Sequence, residues 1–129
     1  MKKTIAVLLY KYKDSDTIKR IFVKFKDSKP ISLTGVIKDE KPRDSAIRNI
    51  KKQSSYIVNK KDLLFLGKAK PSKNKIVYLY SLNTEDKTRN ISKKLKHKFK
   101  WIGLLDVIKS DDPLLHCMLY KHYDKTTLN

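Results

Sequence analysis

The sequence predicts an α+β sandwich, one mostly antiparallel sheet with helices covering it. Two observations carry that class. Lys75 to Leu82 alternates Val77 and Leu79 against Ile76, Tyr78 and Tyr80, so it is apolar on both faces and belongs inside a layered structure. Pro42 to Ser54 and the stretch after Pro113 place apolar residues at helical spacing, which supplies the covering layers. At 129 residues, the chain is expected to form one domain, residues 1–129.

In chain order, Lys3 to Lys13 and Thr17 to Lys26 read as strands rich in β-branched and aromatic residues, joined through Asp14, Ser15 and Asp16 as an antiparallel hairpin. Asp27 to Pro30 reads as a turn, and Ile31 to Ile37 as a short strand carrying Gly35. A charged loop leads to a helix opened by Pro42, which turns Ala46, Ile47 and Ile50 inward. Asn59 to Asp62 breaks the pattern; Leu63 to Lys70 and Lys75 to Leu82 form a second hairpin, turned by Pro71 to Asn74. Asn83 to Asn90 reads as a surface loop. Asp111, Asp112 and Pro113 open a last helix that docks by Leu114, Leu115, Met118, Leu119 and His122, with Lys125 to Asn129 frayed.

Charge is the unusual quantity. Thirty-one Lys and Arg against thirteen Asp and Glu give +18, and such an excess favours a polyanionic partner. The single cysteine, Cys117, excludes an internal disulfide and sits in an apolar helical run as a packing residue. The amino-terminal apolar run is too short for a signal peptide, and no stretch reaches a bilayer-spanning length, so the expected location is the cytoplasm. His97, His116 and His122 are scattered without metal-ligand spacing, and no glycine-rich phosphate loop appears.

The segment from Gly35 to Ile57 resembles the Nudix box, whose pattern is G-x5-E-x7-R-E-U-x-E-E-x-G-U, with U aliphatic or aromatic. Gly35 matches the opening glycine and Glu40 the first glutamate, with four residues between them instead of five. Arg48 follows at the right distance, and Ile50 falls on the first U. The later glutamates are Asn49, Lys52 and Gln53, the second glycine is Ser55, and Tyr56 takes the last U. Lys98 to Leu104 resembles the family's tryptophan strand, here with Trp101, and the Leu104 to Ile108 turn continues the resemblance. It implies a Nudix-like α/β/α sandwich with a mixed, mostly antiparallel sheet, a box helix and a carboxy-terminal helix.

In that family the box glutamates hold magnesium against a diphosphate. Magnesium takes hard oxygen ligands, and ammonium groups cannot supply them. The expectation is therefore a box without catalysis: no catalytic residue, no metal and no cofactor. The box helix sets Arg43, Arg48, Lys51 and Lys52 against Asp44, a face that attracts phosphate. The densest basic tract, with Lys93, Lys94, Lys96, Lys98 and Lys100, interleaves Leu95, Phe99 and Trp101; the lysines suit phosphates, while Trp101 is expected in the core.

These residues, with Arg48, Lys51 and Lys52, form the expected nucleic-acid surface. Non-catalytic relatives of this fold work in RNA processing and as ribosomal subunits. The implied partner is RNA or a ribonucleoprotein such as the ribosome, with no membrane. Two alternatives stand beside this: a divergent magnesium-dependent pyrophosphohydrolase using Glu40, Asp39, Asp44 and Glu85, and a structural subunit with a vestigial nucleotide pocket. That pocket would be lined by Glu40, Arg48, Lys52, Tyr56 and Glu85.

Overall fold

A computed structural model describes residues 1–11, 20–26, 29–54, 57–84 and 99–127. Among these, seven strands form one mixed sheet: β1 (Lys2–Lys11), β2 (Arg20–Lys26), β3 (Lys29–Ile31), β4 (Leu33–Val36), β5 (Leu64–Ser72), β6 (Lys75–Asn83) and β7 (Phe99–Gly103). Three helices accompany them: α1 (Pro42–Ser54), α2 (Leu104–Ile108) and α3 (Pro113–Thr127).

β1 is the central strand. It runs parallel to β6 over nine residue pairs, from Lys2 opposite Lys75 to Tyr10 opposite Asn83. On its other side β1 pairs antiparallel with β4 near its start, Thr4 opposite Val36, and with β2 near its end, Leu9 opposite Phe22. β5 closes one edge antiparallel to β6, and β7 lies antiparallel to β2. Among the described residues only the β1–β6 pairing is parallel, so the sheet is mixed and mostly antiparallel as expected.

The period-2 alternation of β1 and β6 divides the core in two. Ile5, Val7, Leu9, Tyr80 and Leu82 face α1, where they pack on Ala46 and Ile50. Ala6, Leu8, Val77 and Leu79 face the other way, toward Leu115, Met118 and Leu119 of α3 and Val107 of α2. Helix therefore covers both faces of the sheet, an α/β/α sandwich. Each fully buried aliphatic side chain contributes about 1.5–3 kcal/mol, so the two seams hold the layers together without any covalent link.

Helix α1 occupies the predicted span because Pro42 presets φ at its first position and the buried face, Ala46 and Ile50, repeats at helical spacing. α3 is anchored by Asp112: its Oδ1 accepts from Leu114 N at 3.2 Å as an N-cap, while its Oδ2 accepts from Ser32 N at 2.7 Å. That second bond uses the backbone of Ser32, so the single strand expected over Ile31 to Ile37 divides there into β3 and β4. Pro30, expected in a turn, lies in β3 opposite Phe25.

Three further boundaries move. Pro71 and Ser72 extend β5 and leave Lys73 and Asn74 as the turn. The Leu104 to Ile108 turn is a short helix. α3 continues to Thr127, beyond the expected fraying point at Lys125. The proposed turn over Asp14 to Asp16 lies outside the described residues.

Candidate functional site

The box segment is a strand, a five-residue connection and a helix. β4 delivers Val36 beside Thr4, and Ile37 N donates to Lys3 O at 3.1 Å, which holds the chain against the sheet as it leaves. Asp39 then adopts φ 34°, the left-handed region that aspartate tolerates better than most residues. The turn brings Glu40 under its own loop, where Oε1 accepts from Lys38 N at 3.2 Å.

Glu40 is committed to Arg48. Arg48 Nη2 donates to Oε1 at 2.7 Å and Nε reaches Oε2 at 3.2 Å, a two-pronged pairing of guanidinium and carboxylate. The same Nη2 also donates to Val36 O at 3.0 Å, tying helix, loop and strand together. The hydrogen bonds from Arg48 hold the Glu40 carboxyl at about 2, down from its ordinary 4.5, with the Lys38 amide helping. Glu40 in turn raises the Arg48 guanidinium further above neutrality. The helical i−4 partner of Arg48, Asp44, pairs instead with Lys60 at 2.7 Å.

After Arg48, two of the three remaining glutamate positions of the box pattern, Asn49 and Gln53, hold amides. Asn49 is buried; its Nδ2 donates to Ser45 O at 2.9 Å, and its Oδ1 accepts from Gln53 Nε2 at 3.3 Å. Gln53 Nε2 also donates to Thr34 O at 2.7 Å. This chain of neutral bonds links α1 to β4 where acids would otherwise gather. Gly35 makes room for it: a Cβ there would stand 2.1 Å from Asn49 Oδ1.

Lys51 and Lys52, at the end of the helix, are exposed and make no ion pair among the described residues. Arg43 is used differently: it donates to Lys60 O and Leu63 O at 2.9 and 2.7 Å and lies 5.3 Å from the Tyr80 ring centre. Of the four cations on α1, two are internal braces and two face solvent.

This donor set does not fit magnesium. Such a site needs one or two carboxylates open to the ion, whereas Glu40 is occupied by a guanidinium, Asp44 points to Lys60, and the remaining box positions offer amides and ammonium groups. Among the described residues no three His, Cys, Asp or Glu side chains cluster to hold a metal.

Several expected site residues, Tyr56, Glu85, Lys93, Lys94, Lys96 and Lys98, lie outside the described residues. Lys100 and Trp101 are placed in β7 by their backbone, opposite Val23 and Phe22, and their side chains are not described. His122, by contrast, is in the core: 4% exposed, its Nδ1 2.9 Å from Ser81 Oγ and its ring 4.6 Å from that of Tyr10. Burial pushes its pKa below the ordinary 6.5.

A concentration of charge outside the residues expected from the sequence lies where β1 begins and the β5–β6 hairpin turns. Lys2, Lys3, Lys70 and Lys73 are exposed there, and Lys75 is half-buried. The sequence marks both segments by their lack of Asp and Glu, in residues 1–11 and 63–84, and the β1–β6 register is what brings them together.

No family model matches the sequence, and no curated protein matches it. Solved structures do. The C-terminal domain of mouse MUTYH, solved in complex with human PCNA, is similar with a TM-score of 0.72 at 8% identity, over 98% of this chain and 90% of that one. The NUDIX domain of Shewanella oneidensis NrtR, solved with ADP ribose, gives 0.64 at 12% identity over 98% and 88%. Ap4A hydrolase of C. elegans gives 0.63 at 20% identity over 100% and 99%. This chain spans 63% of the longer NrtR chain. At these identities the likeness carries the fold, which is the Nudix fold.

Proposed function

With the Nudix fold as premise, we propose that this chain is a non-catalytic binding protein that contacts RNA, alone or within a ribonucleoprotein such as the ribosome, through lysine-rich surfaces. The observation that carries the reading is the box itself. Its one matching glutamate is neutralised by Arg48, and its other acid positions hold the Asn49–Gln53 amide chain and an exposed Lys52. A surface that would gather cations has become one that gathers phosphates.

The net charge of +18 supports the choice of partner, since a polyanion offsets the self-repulsion that such an excess imposes. Lys51 and Lys52 on α1 supply exposed phosphate contacts, and the Lys93 to Lys100 tract supplies the rest. Lysine ammonium groups act as point charges without base selectivity, so binding is expected to be tight at low salt and largely independent of sequence.

Two measurements test this. Hydrolysis of a panel of diphosphate-linked nucleotides with magnesium or manganese is expected to show no turnover above a buffer blank; turnover that disappears in Glu40→Gln would establish the pyrophosphohydrolase instead. RNA affinity measured against salt is expected to fall steeply, and Lys93→Ala, Lys94→Ala and Lys96→Ala together should lower the slope by roughly two units at about 0.7 per single-strand contact. An unchanged slope removes the tract from the interface.

A further inference from the structure

Lys2 and Lys75 are Cα partners in the parallel ladder between β1 and β6. Side chains directly opposite one another in adjacent strands project to one face of the sheet, and like charges so placed repel. The backbone tightens the arrangement, because Lys2 N donates to Asn74 O at 2.7 Å and seats the start of β1 against the hairpin turn. Lys3, Lys70 and Lys73 are exposed around the same end. With no acid in residues 1–11 or 63–84, nothing in these segments offsets the repulsion, and among the described residues none of the five lysines makes an ion pair.

Protection of a sheet edge accounts for part of this. β5 is the outer strand, and Lys70 with Pro71 obstructs the addition of another strand. Lys75 is on β6, which is flanked by β1 and β5 and has no edge to guard, while Lys2 and Lys3 pair with β6 just before the β1–β4 ladder begins at Thr4. Their clustering is unfavourable in the isolated chain and becomes favourable once a polyanion lies across it, since each neutralised phosphate releases a condensed counterion. The exposed residues around it, Met1, Val36, Pro71, Ser72 and Asn74 among them, mix apolar with polar side chains on strands and a turn, and do not form the amphipathic helix by which a peripheral protein enters a lipid surface.

We propose that this end of the sheet, built from Lys2, Lys3, Lys70, Lys73 and Lys75, binds the phosphate backbone of RNA as a contact surface additional to the box helix. The proposal rests on the RNA-binding reading. Four of the five lysines stand on three strands joined by hydrogen bonds and Lys73 on the turn between two of them, so the positive charge is held by a regular part of the fold. Lysine ammonium groups contact phosphates as point charges, so the contact is expected to be largely indifferent to sequence.

The test is fluorescence anisotropy of the full chain with labelled single-stranded RNA across a salt series. Lys2→Gln, Lys73→Gln and Lys75→Gln together are expected to lower the slope of log affinity against log salt by about two units, at about 0.7 per contact. The matching triple change to Arg is expected to retain the slope. A thermal melt of the Gln triple should be unchanged or higher, because a repulsive pair has gone; should it unfold, Lys73→Gln alone is expected to lower the slope by about 0.7. A steep slope identical in wild type and Gln variants would overturn this surface and leave the RNA reading standing. No RNA binding by the wild-type chain would overturn both. Loss of binding to phosphatidylserine-containing vesicles in the Gln triple, with its RNA slope unchanged, would assign the surface to membranes and also overturn the proposal.

Discussion

Gly35→Ala isolates the contact that holds the box helix to its strand. A Cβ at this position would stand 2.1 Å from Asn49 Oδ1, 2.2 Å from Cγ and 2.5 Å from Nδ2, all far inside van der Waals contact. Gly35 has no positive φ, so the penalty comes from crowding and not from backbone strain. To relieve it Asn49 must swing away, which breaks its 2.9 Å bond to Ser45 O and its link to Gln53.

Overpacking of a close contact costs about 1–3 kcal/mol, and a buried amide left without partners about 1–3 more. A total near 3 kcal/mol is expected. With an unfolding entropy of about 2.1 cal/mol/K per residue, a chain of 129 residues loses roughly 10 °C in Tm.

The assay is a double-mutant cycle followed by thermal and urea unfolding. Asn49→Ala removes every atom in the clash at the expense of its own bonds, so adding Gly35→Ala to that background is expected to cost less than about 1 kcal/mol, with a coupling of about 2 kcal/mol. Additive effects, or a Gly35→Ala protein as stable as wild type, would refute the packing argument.

Acid titration gives a second expectation. Glu40 has a folded pKa of about 2 against 4.5 ordinarily, so its contribution is complete above pH 4.5 and is lost as pH falls from there toward about 2. Glu40→Gln or Arg48→Ala is expected to flatten the Tm profile over that window, and an unaltered acid limb would contradict the pairing. A third expectation concerns His122, whose pKa burial pushes below 6.5. The unfolded chain takes up the proton first, so stability falls as pH drops through 6.5, and NMR titration of its ring protons should place the midpoint lower. A midpoint at or above 6.5 would contradict the buried geometry.

The elements whose signals are local were legible in the sequence. Helix α1 begins at Pro42 and ends at Ser54 as expected, because proline, helical spacing and the following polar break all lie within the segment. The inward faces of β6 and α3 also follow from spacing alone: Val77 and Leu79 meet Leu115 and Met118 on one side of the sheet. Where a long-range bond competes with a local pattern, the reading shifted. Ser32 looked like the interior of one strand, yet its N–H goes to Asp112, eighty positions away.

The site divides in the same manner. The box spacing around Gly35, Glu40 and Arg48 was visible because it is a matter of sequence distance. The partners were not: Asp44 stands four positions before Arg48 on the same helix, yet the fold turns Glu40 back through Asp39 onto Arg48 and gives Asp44 to Lys60. The opposed Lys2 and Lys75 could not have been recognised either, since only the parallel register of β1 and β6 brings residues so distant in the chain side by side.

Composition and short-range spacing alone determine that this chain is strongly basic, that it alternates strands with two amphipathic helices, and that amides and amines stand where the box pattern has acids. Tertiary structure alone decides which charges are spent on one another and which remain exposed. The reason is physical: charge and periodicity belong to a residue and its near neighbours, whereas an ion pair or a crowded contact depends on how the chain folds back upon itself.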